Sequence, residues 1–155
     1  MCVARSREEF ERMPVAQAGA VWTFTCHPES ASRARQVLRA YLLVWGGEQY
    51  GDDGELVLGE LFANAVGHAR SAAGDGRIRL HLDLSARGLL IEVSDADGQR
   101  HPVPCRRHEL ADGGRGLAIV AALARWGWRP AGPGSGKTVW ALLPAPLPGP
   151  AGAAR

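Results

Sequence analysis

AGPGSGKTVWALLP, residues 131–144, admits two readings that lead to different folds. A phosphate-binding P-loop requires a glycine five residues before the glycine of GKT. That position is Ala131, and Gly132 sits one residue too close. A P-loop Lys-Thr also opens a helix whose backbone N–H groups cradle phosphate. Here Thr138-Val139-Trp140-Ala141-Leu142-Leu143 is β-branched, aromatic and apolar, and it stops at Pro144. The segment predicts a glycine-rich turn followed by a closing strand.

Working outward, residues 126–130 precede that turn and form the partner strand of a last hairpin. Residues 115–126, RGLAIVAALARW, predict a helix that turns Leu117, Val120, Ala121 and Ala124 inward. Residues 77–84, RIRLHLDL, alternate strictly, and residues 89–93, LLIEV, follow after SARG, a hairpin with one buried face. Between this hairpin and the helix, residues 96–114 are polar and rich in Asp, Gly, Pro, Arg and His, a loop long enough to cover a ligand. It is expected to be mobile over residues 97–113 without one.

Upstream, residues 20–26 alternate as a strand. A helix then starts at Pro28, Glu29 and Ser30 and stops at Gly46-Gly47, with Val37, Leu38, Tyr41, Leu42 and Trp45 on one stripe. A second helix runs from about Asp52, as N-cap, to near Ala69, with Val57, Leu61, Ala65 and Ala69 inward. The order β α α β β loop α β β predicts a two-layer α/β (α+β) sandwich, its helices on one face of a mostly antiparallel, mixed sheet. Residues 1–19 form a flexible leader, 20–143 the folded domain, and 144–155 a Pro/Gly/Ala tail with nothing to bury.

With 155 residues, one core is expected. The net charge of +2 and the scattered arginines indicate neither a nucleic-acid stripe nor a membrane patch. Cysteines at 2, 26 and 105 share no framework spacing, and no long apolar run interrupts the chain, so a reducing cytoplasm is the expected compartment. His101, Cys105 and His108 lie within eight residues, but structural zinc wants four ligands, and a polar loop accounts for them as well. Lys137 is the only lysine in the chain.

Three further stretches carry chemistry. In GELFANAVGHA, Glu60, Asn64 and His68 are four residues apart and fall along one line of a helix face. A carboxamide one turn from a carboxylate suits a hydrated Mg²⁺ beside a hydroxyl-polarising base, and it equally suits a solvated face. IEVSDADG carries an apolar strand into Asp95, placed either to accept from an exocyclic amine or to begin a turn with Asp97-Gly98. Gly113-Gly114-Arg115-Gly116-Leu117 sets glycines at a helix start, where exposed amides, the helix dipole and the Arg115 charge make an anion site or simply a loop-to-helix joint.

Taken in order, ELxxNAxxHA, VxD, a variable lid, GRGLxIVxxLAxxWG and GKTVWxxLP resemble the four boxes of the Bergerat-fold ATPases shared by gyrase, heat-shock chaperones and histidine kinases. The version here is most similar to the small stand-alone anti-sigma factor serine kinases. The resemblance implies ATP and Mg²⁺ as cofactors, Asn64 as the metal ligand and Glu60 as the catalytic base. It implies Asp95 on the adenine amine, Gly114 and Gly116 with neighbouring amides on phosphate, and Thr138 completing the purine site. Gly98, Gly113, Arg115, Leu117 and Lys137 complete the expected cofactor-binding set. One departure stands out: the family's first glycine box reads DxGxG, whereas Asp95-Ala-Asp-Gly-Gln99 has no glycine two or four residues on.

The expected function is an ATP/Mg-binding regulator that phosphorylates a serine on an anti-sigma factor antagonist and also sequesters a sigma factor. The alternatives are a nucleotide-dependent interaction module with little turnover and a slow ATPase. Neither nucleic acid nor membrane is an expected partner, and the first helix with Trp22, Tyr41 and Trp45 offers a homodimer interface or ordinary core packing.

Overall fold

The computed structural model describes residues 18–69, 76–95, 115–132 and 136–147, with side chains through residue 67 in the first span. Its elements are β1 (Ala18–Thr25), α1 (Ser30–Trp45), a 3₁₀ turn (Glu48–Tyr50), α2 (Gly51–Ala69), β2 (Arg77–Ser85), β3 (Gly88–Asp95), α3 (Arg115–Leu123), β4 (Arg125–Pro130) and β5 (Lys137–Pro144). The strands form one sheet in the order β1-β2-β3-β5-β4. Every described pairing is antiparallel, in keeping with the mostly antiparallel sheet expected from the sequence. The loop, residues 1–17 of the predicted leader and most of the tail lie outside the described residues; Ala18 and Gly19, expected in the leader, already pair in β1.

Local chemistry explains the boundaries. Gly46 adopts a left-handed conformation (φ 69°) and its N–H closes on the Leu42 carbonyl, ending α1 where the glycine pair was expected to. Asp52 is not the N-cap of the second helix: a 3₁₀ turn leads straight into α2, so Asp52 and Asp53 occupy its first turn, where the positive helix end favours them. The third helix is shorter than predicted. It ends at Leu123, and the Trp-Gly-Trp segment that follows takes up pairing with β5 from Arg125 onward. Gly88 (φ 135°) lets the β2–β3 hairpin turn beside β5, where a side chain would run into the Leu143 carbonyl.

Alternation along the strands divides the sheet into two faces. Ile78, Leu80, Leu82, Leu89, Ile91, Val93, Val139, Ala141 and Leu143 point to the helices and join Leu38, Leu42, Val57, Leu58, Leu61 and Phe62 in one core. Each such fully buried aliphatic or aromatic side chain contributes about 1.5–3 kcal/mol, more than a typical exposed ion pair. The core, not surface charge, therefore fixes where α2 lies. Val57, Leu61 and Ala65 are buried as expected. Leu58, Phe62 and Val66 widen the stripe, because α1 flanks α2 on one side and α3 on the other.

Two contacts orient α2 on the sheet. A Cβ built on Gly54 would lie 3.2 Å from Leu89 Cδ2, so the start of the helix sits over the start of β3. Further along, Phe62 packs edge-on against Phe24, with ring centroids 5.7 Å apart. Phe24 pairs with Ile78, and Arg79, the next residue, pairs with Ser94. Phe62 thus stands at the level of the sheet where β3 ends in Asp95.

Candidate functional site

That level gathers the motif residues. Glu60 and Asn64 bracket Phe62 on α2, and both are half-buried on the flank of the helix rather than on a fully solvated face. The i, i+4 spacing read from the sequence therefore does place them along one line beside the core. The start of α3 packs against this line: a Cβ on Gly116 would collide with the Glu60 carboxylate. Gly116 is buried and Arg115 beside it is exposed, while Leu117 is partly buried against the core. Glycine at 116 thus permits an approach of backbone to carboxylate that any other residue would block.

At the end of β3, Asp95 faces the same helix-covered side. Its register partner on β5 is Lys137, which donates from Nζ to Asp95 Oδ1 at 3.1 Å, and both side chains are 1% exposed. Thr138, one residue on, necessarily points to the opposite face. It pairs with Ser94 there, hydroxyl to hydroxyl at 2.7 Å. The fold thus brings Lys137 to Asp95 and does not bring Thr138 to it, where the family resemblance had placed the threonine. The turn before them closes through a hydrogen bond from the Ala131 N–H to the Gly136 carbonyl, with Gly136 at φ 89°. GKT therefore opens a strand, and the P-loop reading fails on geometry.

Residues 24–139 match the histidine kinase-like ATPase domain. The chain belongs to that family. A search of curated proteins returned no match.

Members of this family bind ATP, usually with Mg²⁺, and two features of the chain fit such a ligand. A buried carboxylate stands at the strand end, and the gap between Glu60 and the α3 backbone is one that a Cβ would fill. Among the described residues no cluster of three or more His, Cys, Asp or Glu could cage a metal. Mg²⁺ beside a nucleotide is commonly held by one or two protein oxygens together with phosphate oxygens and water. Asn64, half-buried on α2, is a side chain that could supply such an oxygen. Gly98, Gly113, Gly114 and the His101, Cys105 and His108 group lie outside the described residues, as does the side chain of His68. No described helix is long and apolar enough to cross a membrane.

Sequence reading passed over a second charged cluster, on the opposite face of the sheet. Glu92 is buried, receives Arg129 at 2.9 Å and meets His81 Nδ1 at 2.6 Å, while His81 Nε2 lies 3.3 Å from Asp83. The hydrogen bond that the His81 imidazolium donates to Glu92 raises the His81 pKa above its ordinary value. For Glu92, burial pushes upward, but His81 and Arg129 outweigh it, and the net displacement is downward. The signal was available: an acid inside the apolar run LLIEV, with the hairpin register setting His81 opposite it.

Proposed function

We propose that the protein is a regulatory kinase that transfers the γ-phosphoryl group of ATP to a serine hydroxyl of a partner protein, an anti-sigma factor antagonist by family resemblance, and that it also binds the sigma factor. The observation that supports this reading best is the packing of Gly116 against Glu60 at the Asp95 end of the sheet. It puts a carboxylate base beside a helix start able to receive phosphate. Phosphoryl transfer asks for positioning and charge neutralisation more than for covalent chemistry. Glu60 accepts the proton of the serine hydroxyl as the serine oxygen bonds to phosphorus and the bond to the β-phosphate oxygen breaks. With ATP and Mg²⁺ bound, Asn64 would hold the metal ion, the Gly114 to Gly116 amides would hold phosphate, and Asp95 would accept from the adenine amine.

A partner or a second copy has a surface to meet on the edge strand β1. Val21 and Trp22 there are 48% and 44% exposed. The Trp22 indole also donates to the Tyr41 hydroxyl at 3.2 Å, and Tyr41 packs on Trp45.

The second reading, a nucleotide-set interaction module without turnover, draws on the DADGQ sequence that lacks the family's glycines after Asp95. Transfer of label from [γ-³²P]ATP to serine-bearing partners separates the two. Glu60→Ala is expected to cut transfer at least about a hundredfold while ATP affinity stays within about threefold. A wild type that binds ATP yet labels no partner is the interaction module. Phosphate released without any partner marks a slow ATPase.

A further inference from the structure

We propose that residues 1–17 lie across the face of the sheet that the helices leave open, with the Phe10 ring seated on the Trp140 indole.

One rung of the sheet shows where such a cover belongs. The register aligns Val21, His81, Glu92, Trp140 and Gly127 across β1, β2, β3, β5 and β4, all on the face opposite the helices. At the β1 end of this rung Val21 is 48% exposed, yet Trp140 is only 3% exposed. A Cβ on Gly127 would come within 2.7 Å of Trp140 Cζ2, so the indole lies over the glycine with one side toward backbone. Leu90 and Thr138, on the same face, are buried as well. Side chains standing beside a flat indole shield its edge, and its outer side is shielded by something laid over the face. Among the described residues, every helix that joins the core packs on the other side of the sheet.

Composition selects the segment. The tail leaves β5 at Pro144, but its one large apolar side chain, Leu147, is 91% exposed, and residues 148–155 are Pro, Gly, Ala and Arg. Residues 70–75 and 133–135 carry no large apolar side chain. Residues 96–114 run from Asp95 to the start of α3, both on the helix side. Residues 1–17 carry Met1, Val3, Phe10, Met13 and Val15, and Phe10 is the only aromatic residue outside those described.

Reach and charge agree with this choice. Ala18 is level with Leu143 through Leu84 and Leu89, so Trp140 lies three strands across and three residues along, about 17 Å away. The chain from Phe10 to Ala18 spans up to about 26 Å when extended. Phe10 stands within Glu8-Glu9-Phe10-Glu11, and the open face carries Arg77, Arg79, Arg125 and Arg129 around the rung. Laid there, an aromatic ring covers the indole while its flanking carboxylates meet guanidinium groups at the margin. Residues that read as a flexible leader from composition thereby become a strap.

Hydroxyl-radical footprinting of the full-length chain, read residue by residue by mass spectrometry, tests the assignment. In wild type, Phe10 and Trp140 are both expected to oxidise at least about fivefold more slowly than in the urea-unfolded chain, while Trp22, at 44% exposure, stays within about twofold. Phe10→Ala should raise the Trp140 rate about threefold or more and leave buried Trp126 unchanged; Phe10→Leu, which keeps an apolar cover, should raise it less. Should Trp126 rise too, Phe10→Ala has unfolded, and the wild-type rates with Phe10→Leu decide. Phe10 oxidising at its unfolded rate in wild type overturns the proposal without any variant. A Trp140 that stays protected in Phe10→Ala overturns it as well, because another segment is then the cover. Protection lost on dilution to a monomer, followed by sedimentation, would assign the cover to a second copy and equally overturn it.

Discussion

Each face of the sheet buries a carboxylate, and the two are neutralised in different ways. On the helix-covered face, Asp95 meets an ammonium as deeply enclosed as itself, 1% exposed on either side. On the opposite face, Glu92 meets a guanidinium reaching across β5 from β4 and an imidazole on the adjacent β2, 31% and 36% exposed. Water can replace part of either partner of Glu92. It has no such access to the Asp95 and Lys137 pair. Enclosure therefore separates a tie that solvent can partly take over from a pair sealed in the interior.

The contrast is sharpest in stability. Lys137→Met removes the ammonium from a carboxylate enclosed in the interior and is expected to cost about 3–5 kcal/mol in chemical denaturation. A loss below about 1 kcal/mol would erase the distinction. Arg129→Met should cost less, about 1–2 kcal/mol, because His81 and solvent still reach Glu92; a loss matching that of Lys137→Met would make the two faces equivalent.

The smallest effect is in pH. The folded pKa of His81 lies above its ordinary 6.5, so its protonated form stabilises the fold fully below that value, and the increment fades as the pH rises through the raised pKa. Glu92 runs the other way: its contribution is present above the ordinary 4.5 and fades as the pH falls through its lowered pKa. The difference in unfolding free energy between wild type and His81→Asn should be largest near pH 6 and shrink toward pH 9, by under about 1 kcal/mol. A difference constant over that range would detach His81 from Glu92.

Much of this was legible in the chain. Thr138 to Leu143 read as a strand because β-branched and aromatic residues run up to a proline, and Glu60 and Asn64 read as neighbours because helical spacing needs no tertiary information. The face presented by Lys137 or Thr138 was not legible. Parity along a strand is set by its partner's register, and GKT offers two polar side chains that could each claim the pocket. The end of the third helix was misplaced for a related reason. The run from Leu117 to Trp126 holds no glycine or proline to stop a helix, and only pairing with β5 ends it. Asp52 satisfied the local rule for a cap, yet the 3₁₀ turn at Glu48 to Tyr50 fills the space such a cap would need.

Helix α2 is seated at both ends, through Gly54 over Leu89 and through Phe62 against Phe24. A helix held this way behaves as a stiff beam. Crowding at its Gly54 end, where an added methyl would already press within 3.2 Å of Leu89, would tilt the far end that carries Glu60 and Asn64. Remote repacking beneath the beam's first turns thereby becomes a dial on the alignment of the reacting groups, worked from a place no substrate ever touches.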